Sequence, residues 1–433
     1  MKWRTYPRYK DSGVEWLGKV PEHWDVKHLN YYFSERREKV SDSDFQPLSV
    51  TKNGVVPQLE TAAKTDDGDN RKLVRVGDFV INSRSDRRGS SGLSALDGSV
   101  SLINTVLQPY NLIDGRFAHH LLRSYPFQEE FYRYGKGIVA DLWSTNYSEM
   151  RNISLSLPVL AEQSAIAAFL DRETAKLDTL IAKQEQLIEL LQQKRKALIS
   201  HAVTKGLNPD VPMKDSSVEW LGKVPEHWRV KKIKHTTYLK ARIGWKGLTS
   251  DEYQEEGYAY LVTGTDFSVK YINWGNCHYV DKNRYDDDPF IQLRNGDLLV
   301  TKDGTIGKLA LVKGLNKPAC LNSGVFLVRP ENSYCITEYL YWVLGSDVFT
   351  VFQDLSSLGS TIQHLYQNVF EDFVFPIPPI QEQHNIASFL DRETSKIDTL
   401  IEKSRRSIGL IKERRSALIS AAVTGKIDVR EAV

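Results

Sequence analysis

PVLAEQSAIAAFLDRETAKLDTLIAKQEQLIELLQQKRKALISHAVT, residues 158–204, returns as PPIQEQHNIASFLDRETSKIDTLIEKSRRSIGLIKERRSALISAAVT, residues 378–424, at a constant offset of 220 with no gap. Between Phe169 and Ile181, eleven of thirteen residues match those between Phe389 and Ile401. In the first copy Leu170, Thr174, Leu177, Ile181, Gln184, Ile188, Leu191, Arg195, Leu198 and Ala202 alternate steps of four and three. This is the seam of a coiled coil. The second copy puts Leu390, Thr394, Ile397, Ile401, Ser404, Ile408, Ile411, Arg415, Leu418 and Ala422 on the same seam, with polar residues at matching places. A helix from about Glu162 to Val203 is predicted, roughly 63 Å long at 1.5 Å per residue. Its expected partner is the other copy.

Working outward, a second repeat precedes each insert. YKDSGVEWLGKVPEHWDVKHL (Tyr9 to Leu29) matches MKDSSVEWLGKVPEHWRVKKI (Met213 to Ile233) at sixteen of twenty-one positions, offset by 204. Trp16, Trp24, Trp220 and Trp228, with Pro21 and Pro225, read as an irregular segment anchored by packed aromatic rings. The chain is thus lead-in segment, variable insert, long helix, then the same again. The boundaries fall at 1–157, 158–204, 205–377 and 378–433. The second insert is sixteen residues longer, the difference between the two offsets.

Both inserts show short β-like runs punctuated by turns: PLSVTKNGVV and KLVRVGDFVIN in the first, YAYLVTGTDF and IQLRNGDLLVTKDGTIGKLALV in the second. One helix is expected from Arg116 to Tyr134 and another around Ile336 to Phe352. VGDFVINSR aligns with NGDLLVTKD, so the inserts are read as the same α/β domain with different surfaces. The fold class expected is α+β: two such domains separated by two long helices that pair within the chain as an antiparallel coiled coil. Duplication implies a pseudo-two-fold axis, with the inserts at opposite ends.

Composition sets limits on function. The 433 residues are 41% hydrophobic and 26% charged, with a formal charge of +2. That is ordinary for a globular protein and neutral on nucleic-acid binding. No apolar run approaches a membrane span and the N-terminus has no signal core, so the cytoplasm is expected. Cys277, Cys320 and Cys335 lack C-x-x-C spacing and are expected to be buried thiols. GVEWLGKV imitates a phosphate loop, but Val20 stands where Ser or Thr would bind magnesium, and Ser217 replaces the first glycine in the twin. DDPF (Asp287 to Phe290) lacks one proline of an amino-methyltransferase loop and reads as an acidic turn. No catalytic residue and no metal ligand set is assigned.

Basic and polar side chains gather instead on predicted loops. Asn82, Ser83, Arg84, Arg87 and Arg88 follow a strand near Gly89 and Gly92; Lys302, Asp303, Thr305 and Lys308 hold the corresponding place around Gly304 and Gly307. Arg and Lys suit guanine edges or phosphates, Asn and Gln adenine, and Asp cytosine. A second patch precedes each long helix: Ser144, Thr145 and Asn146 in the first insert, Gln363 and His364 in the second. Arg242, Trp245 and Lys246 add a third. All are candidate DNA contacts. The basic residues at Lys194–Lys196 and Lys412–Arg415 are read as compensating the helix dipole.

Two divergent inserts, each followed by a P-x-(x)-E-Q helix start and a repeated coiled-coil helix, resemble the specificity subunit of type I restriction-modification enzymes. The resemblance covers nearly the whole chain and rests on EQ…FLDRET…DTLI…ALIS…AVT, WLGKVPEHW, and the Gly-Asp-hydrophobic-hydrophobic stretches at Gly77 and Gly296. It implies that each insert is a target recognition domain reading one half of a bipartite, asymmetric double-stranded DNA site, while the helices set the spacer. It also implies two methyltransferase subunits using S-adenosylmethionine, motor-nuclease subunits using ATP and magnesium, and no cofactor on this chain. Two other readings compete: a self-contained DNA methyltransferase or nuclease, and a coiled-coil adaptor that binds only proteins.

Overall fold

A computed structural model describes residues 3–61, 68–137, 143–242, 252–331, 333–356 and 364–431. The chain forms two compact units, one of Met1–Glu185 with Arg405–Val433 and one of Gln186–Ser404.

In the first unit a four-stranded antiparallel sheet runs in the order Ser91–Leu93, Phe79–Asn82, Asn104–Pro109, Phe33–Glu35. Side chains alternate across a strand. Phe79 and Ile81 therefore enter a core with Phe117, Leu121, Phe127 and Phe131, while Val80 faces the other way, against Leu48, Val74 and Val100. The second unit repeats this arrangement with Thr237–Ala241, Val325–Pro330, Leu298–Thr301 and Leu309–Leu311. There Leu298 and Val300 meet Tyr339, Leu340 and Phe349, and Leu299 faces Ala259, Leu261 and Leu321. Among the described residues the sheets are antiparallel apart from one parallel pairing, Ala259–Val262 with Ala319–Leu321.

Each single helix expected in the inserts is in fact two. Gly115–Leu122 gives way to Tyr125–Arg133, and Thr337–Leu344 to Asp347–Ser356. The break has one cause in both units: Ser124 and Ser346 turn their hydroxyls back onto the carbonyls of Leu121 (2.7 Å) and Val343 (2.6 Å). Ser124 also caps the next helix, whose first turn holds Pro126.

The Gly-Asp stretches are turn fasteners. Asp78 accepts from Arg36 Nε (2.7 Å), Arg36 Nη2 (3.0 Å) and the Arg75 N–H (2.8 Å). Asp297 accepts from Arg329 Nε (2.6 Å), Arg329 Nη2 (2.8 Å) and the Arg294 N–H (2.6 Å). Both carboxylates are 2% exposed. The arginine comes from a different place in the insert each time, yet it completes the same buried pair.

The long helices span Leu160–Lys205 and Ile380–Val423. Gly206 (φ 78°) and Gly425 (φ 69°) end them in the left-handed conformation that lacks a penalty only for glycine. Every seam position is buried or half-buried. Thr174 and Thr394 hide their hydroxyls by donating to Leu170 and Leu390 carbonyls one turn back. In the first unit Ile166, Ala167 and Leu170 share a core with Ala422 and Val423. In the second, Ile199, Ala202 and Val203 share one with Ile386, Ala387 and Leu390. The start of each helix thus meets the end of the other, which is the antiparallel pairing expected. The seam arginines do more than offset a dipole: Arg415 pairs with Asp178 (2.8 and 3.2 Å) and Arg195 with Asp398 (3.0 Å).

The E-Q motif explains how an insert is fixed to its helix. Glu162 accepts from Tyr6 Oη (2.7 Å) and Trp24 Nε1 (3.1 Å), with His23 Nε2 at 2.9 Å. Glu382 holds Trp228 Nε1 (3.0 Å) and His227 Nε2 (2.9 Å) in the same way. Gln163 donates to the Pro158 carbonyl and accepts the Asp114 N–H, as Gln383 does with Pro378 and Ile336. Past the second helix the tail returns to the lead-in segment. Lys426 Nζ donates to the Leu17 and Lys19 carbonyls (2.9 and 2.6 Å), and the Asp428 N–H donates to the Arg4 carbonyl (2.8 Å).

Candidate nucleic-acid interface

Strand Phe79–Asn82 delivers the chain into a loop closed by Gly89, and Leu298–Thr301 into one closed by Gly307. Both glycines are left-handed (φ 79° and 80°), and a Cβ there would sit 3.3 Å from Gln128 and 3.5 Å from Gln353. The two candidate patches of each insert are joined by the same backbone hydrogen bond. Thr145 N–H donates to the Ser83 carbonyl (2.9 Å), and Leu365 N–H to the Lys302 carbonyl (3.2 Å). In the first unit Ser144 also bridges to the backbones of Arg84 and Lys136.

Not every candidate side chain points outward. Asn82 and Ser83 are buried; Asn82 Oδ1 accepts the Arg84 N–H and the Ser83 hydroxyl pairs with Thr105 Oγ1 at 3.0 Å. Thr145, 1% exposed, donates to the Phe131 carbonyl. Arg242, also 1% exposed, donates from Nε to the Leu321 carbonyl and lies against Cys320, so it belongs to the interior of the second unit. These four shape loops and cannot reach a base edge from where they stand. Trp245, Lys246 and Gln363 fall outside the described residues.

The outward set of the first unit is Arg84, Arg87, Arg88 and Asn146, with Ser144 half-buried. Arg88 pairs with Glu129 and lies over the Tyr132 ring, 4.9 Å from its centroid. Asn146 starts the short helix Tyr147–Met150 without using its side chain as a cap, which leaves its amide facing solvent. In the second unit Asp303, Thr305 and Lys308 are exposed and Lys302 is half-buried. Asp303 pairs with His364, whose ring packs on Tyr366 with centroids 4.6 Å apart. One loop therefore presents guanidinium groups, and its twin a carboxylate–imidazole pair beside ammonium groups.

Among the described residues no His, Cys, Asp and Glu group could hold a metal, and no described helix is long and apolar enough to cross a membrane. The three cysteines are buried, and burial pushes the Cys277 and Cys335 thiols up to about 12, the wrong direction for nucleophiles. In DDPF the Asp288 carboxylate accepts the Phe290 N–H, an acidic turn as read.

A family model for the type I restriction modification DNA specificity domain matches residues 226–408. The chain is similar to the putative type I restriction enzyme MjaX specificity subunit of Methanocaldococcus jannaschii, 23% identical with 96% of each chain covered. It is also similar to the EcoKI specificity subunit of Escherichia coli K12, 21% identical over 95% of this chain and 90% of that one. A chain from a study of assembly and conformational transition in the type I restriction-modification system superposes with a TM-score of 0.67 at 17% identity, covering 93% and 98%. The crystal structure of the HsdS subunit of Thermoanaerobacter tengcongensis does so with 0.55 at 16%, covering 94% and 98%.

Proposed function

We propose that this chain is a specificity subunit of the type I restriction-modification family and reads double-stranded DNA as two half-sites, one per unit. The observation that carries this reading is the pair of twin loops, held by the same backbone bond and built from different side chains. Arg84 and Arg87 suit guanine edges or phosphates, Asp303 accepts from cytosine, and Lys308 suits guanine or phosphate. Different readers on one repeated frame make an asymmetric site.

The long helices supply the spacing. A helix of 46 residues runs roughly 69 Å at 1.5 Å per residue. Paired readers engage half-sites about 34–36 Å apart, one turn of duplex, so such a helix has length to spare. Each base pair read is worth about 1–3 kcal/mol.

The chain itself is non-catalytic. Two methyltransferase subunits carry S-adenosylmethionine and modify adenine, motor-nuclease subunits use ATP and magnesium, and the assembly works in the cytoplasm. The test is methylation mapping with the assembled complex after residues 25–157 are exchanged for a relative's insert. One half of the methylated site should change. A change in both halves, or methylation by this chain alone, would reject the reading.

A further inference from the structure

Beside the first unit's reading loop lies a cleft of about 400 Å³ lined by Lys52, Arg88, His119, Arg123 and Arg415. A water's share of liquid is about 30 Å³, so there is room for an anion of several heavy atoms. Arg88 and Arg415 have carboxylate partners, Glu129 and Asp178. Among the described residues no carboxylate pairs with Arg123 or Lys52. Arg123 instead donates to the Lys52 carbonyl (2.5 Å) and points Nη1 at His119 Nε2, 2.9 Å away.

That last contact is unbalanced. His119 Nδ1 accepts the Leu93 N–H (3.2 Å), so the neutral ring carries its proton on Nε2, facing a guanidinium that can only donate. Two donors meet with no acceptor between them. Burial and the nearby Arg415 both work against the Arg123 charge. An oxyanion in front of the pair would accept from both and offset that charge.

We propose that this cleft is a phosphate-binding site, with Arg123, His119 and Lys52 donating to the oxyanion. The second unit has no counterpart: Tyr341, Trp342 and Gly345 stand where His119, His120 and Arg123 do, and Lys270 there is paired with Asp391. The phosphate is either one of the duplex backbone, in which case the proposal rests on the DNA-reading role, or a free ion, in which case it does not.

Two measurements on the full-length protein decide this. In the first, the Tm is followed with inorganic phosphate against chloride at equal ionic strength, for the natural protein, R123Q and K52Q. In the second, DNA affinity of the assembled complex is followed against salt. Lys52 is exposed, so K52Q spares the fold, and R123K should restore part of any loss. A duplex phosphate predicts a salt slope shallower by about 0.9 in R123Q on every sequence, with the recognised site unchanged. A free ion predicts a Tm rise in phosphate that R123Q and K52Q lose, with the slope unaltered. If phosphate stabilises no more than chloride and the slope is the same in folded R123Q, the site does not exist. If the natural complex shows no sequence preference, the DNA-reading role fails while the Tm measurement still decides the cleft.

Discussion

Glu162 and Glu382 show how much one side chain settles here. Replacing Glu162 with Ala strands the Trp24 indole and Tyr6 hydroxyl as buried donors, each costing about 1–3 kcal/mol. E162A should lower the first unit's stability by about 2–6 kcal/mol in urea unfolding and spare the second, and E382A should do the reverse. Equal loss in both units would contradict this. His119 makes a pH prediction. Burial first, then Arg123 and His120, pull its ring from 6.5 to about 4, with Asp171 acting the other way and Arg415 lowering it further. The folded ring binds a proton less readily than the unfolded one. Its contribution is therefore complete above pH 6.5 and is lost as pH falls toward 4. At 1.36 kcal/mol per unit it is on the order of 3 kcal/mol, and the Tm of H119Q should drop less between pH 7 and 4.5. At this scale the sequence was only partly legible. Residues after a strand read as outward-facing, yet Asn82 and Ser83 turn inward because both faces of that sheet are covered. The partners of Glu162 lie 138 and 156 residues away, beyond any local pattern.

The long helices were the most legible elements, since a four-three alternation over ten positions admits one helical face. Their ends moved by a few residues because Gly206 and Gly425, not the periodicity, stop them. The helices inside the inserts were legible in place but not in number. Serine at 124 and 346 carries no helix-breaking signature until its hydroxyl is seen to take a carbonyl. The cross-helix pairs are largely exposed. A double-mutant cycle on Asp178 and Arg415 should return about 0.5–1 kcal/mol, so they favour register more than stability. Length is the property with a function. Seven residues added to both long helices, one after Glu185 and one after Ser404, extend each by about 10.5 Å. The accepted spacer should grow by about three base pairs while both half-sites stay the same, as methylation mapping would show; an unchanged spacer would remove the helices from any measuring role.

At the scale of the molecule, the tail is what the duplication left hidden. GKIDVREAV has no twin pattern that announces packing, yet Val429 is fully buried and Lys426 and Asp428 fasten the lead-in segment. Deleting residues 425–433 should open the first unit to limited proteolysis and leave the second resistant; equal resistance would show the tail to be ornamental. The same arrangement bears on how the protein is made. The second unit is one unbroken stretch of chain, whereas the first needs residues from both sides of it. A ribosome therefore finishes the second unit first, against the usual N-terminal order. The first waits through about 220 residues of further synthesis, roughly 10–40 s at 5–20 residues per second, with the apolar seat for Ala422, Val423 and Val429 uncovered. For that interval the nascent chain offers a chaperone a surface that the finished protein never shows.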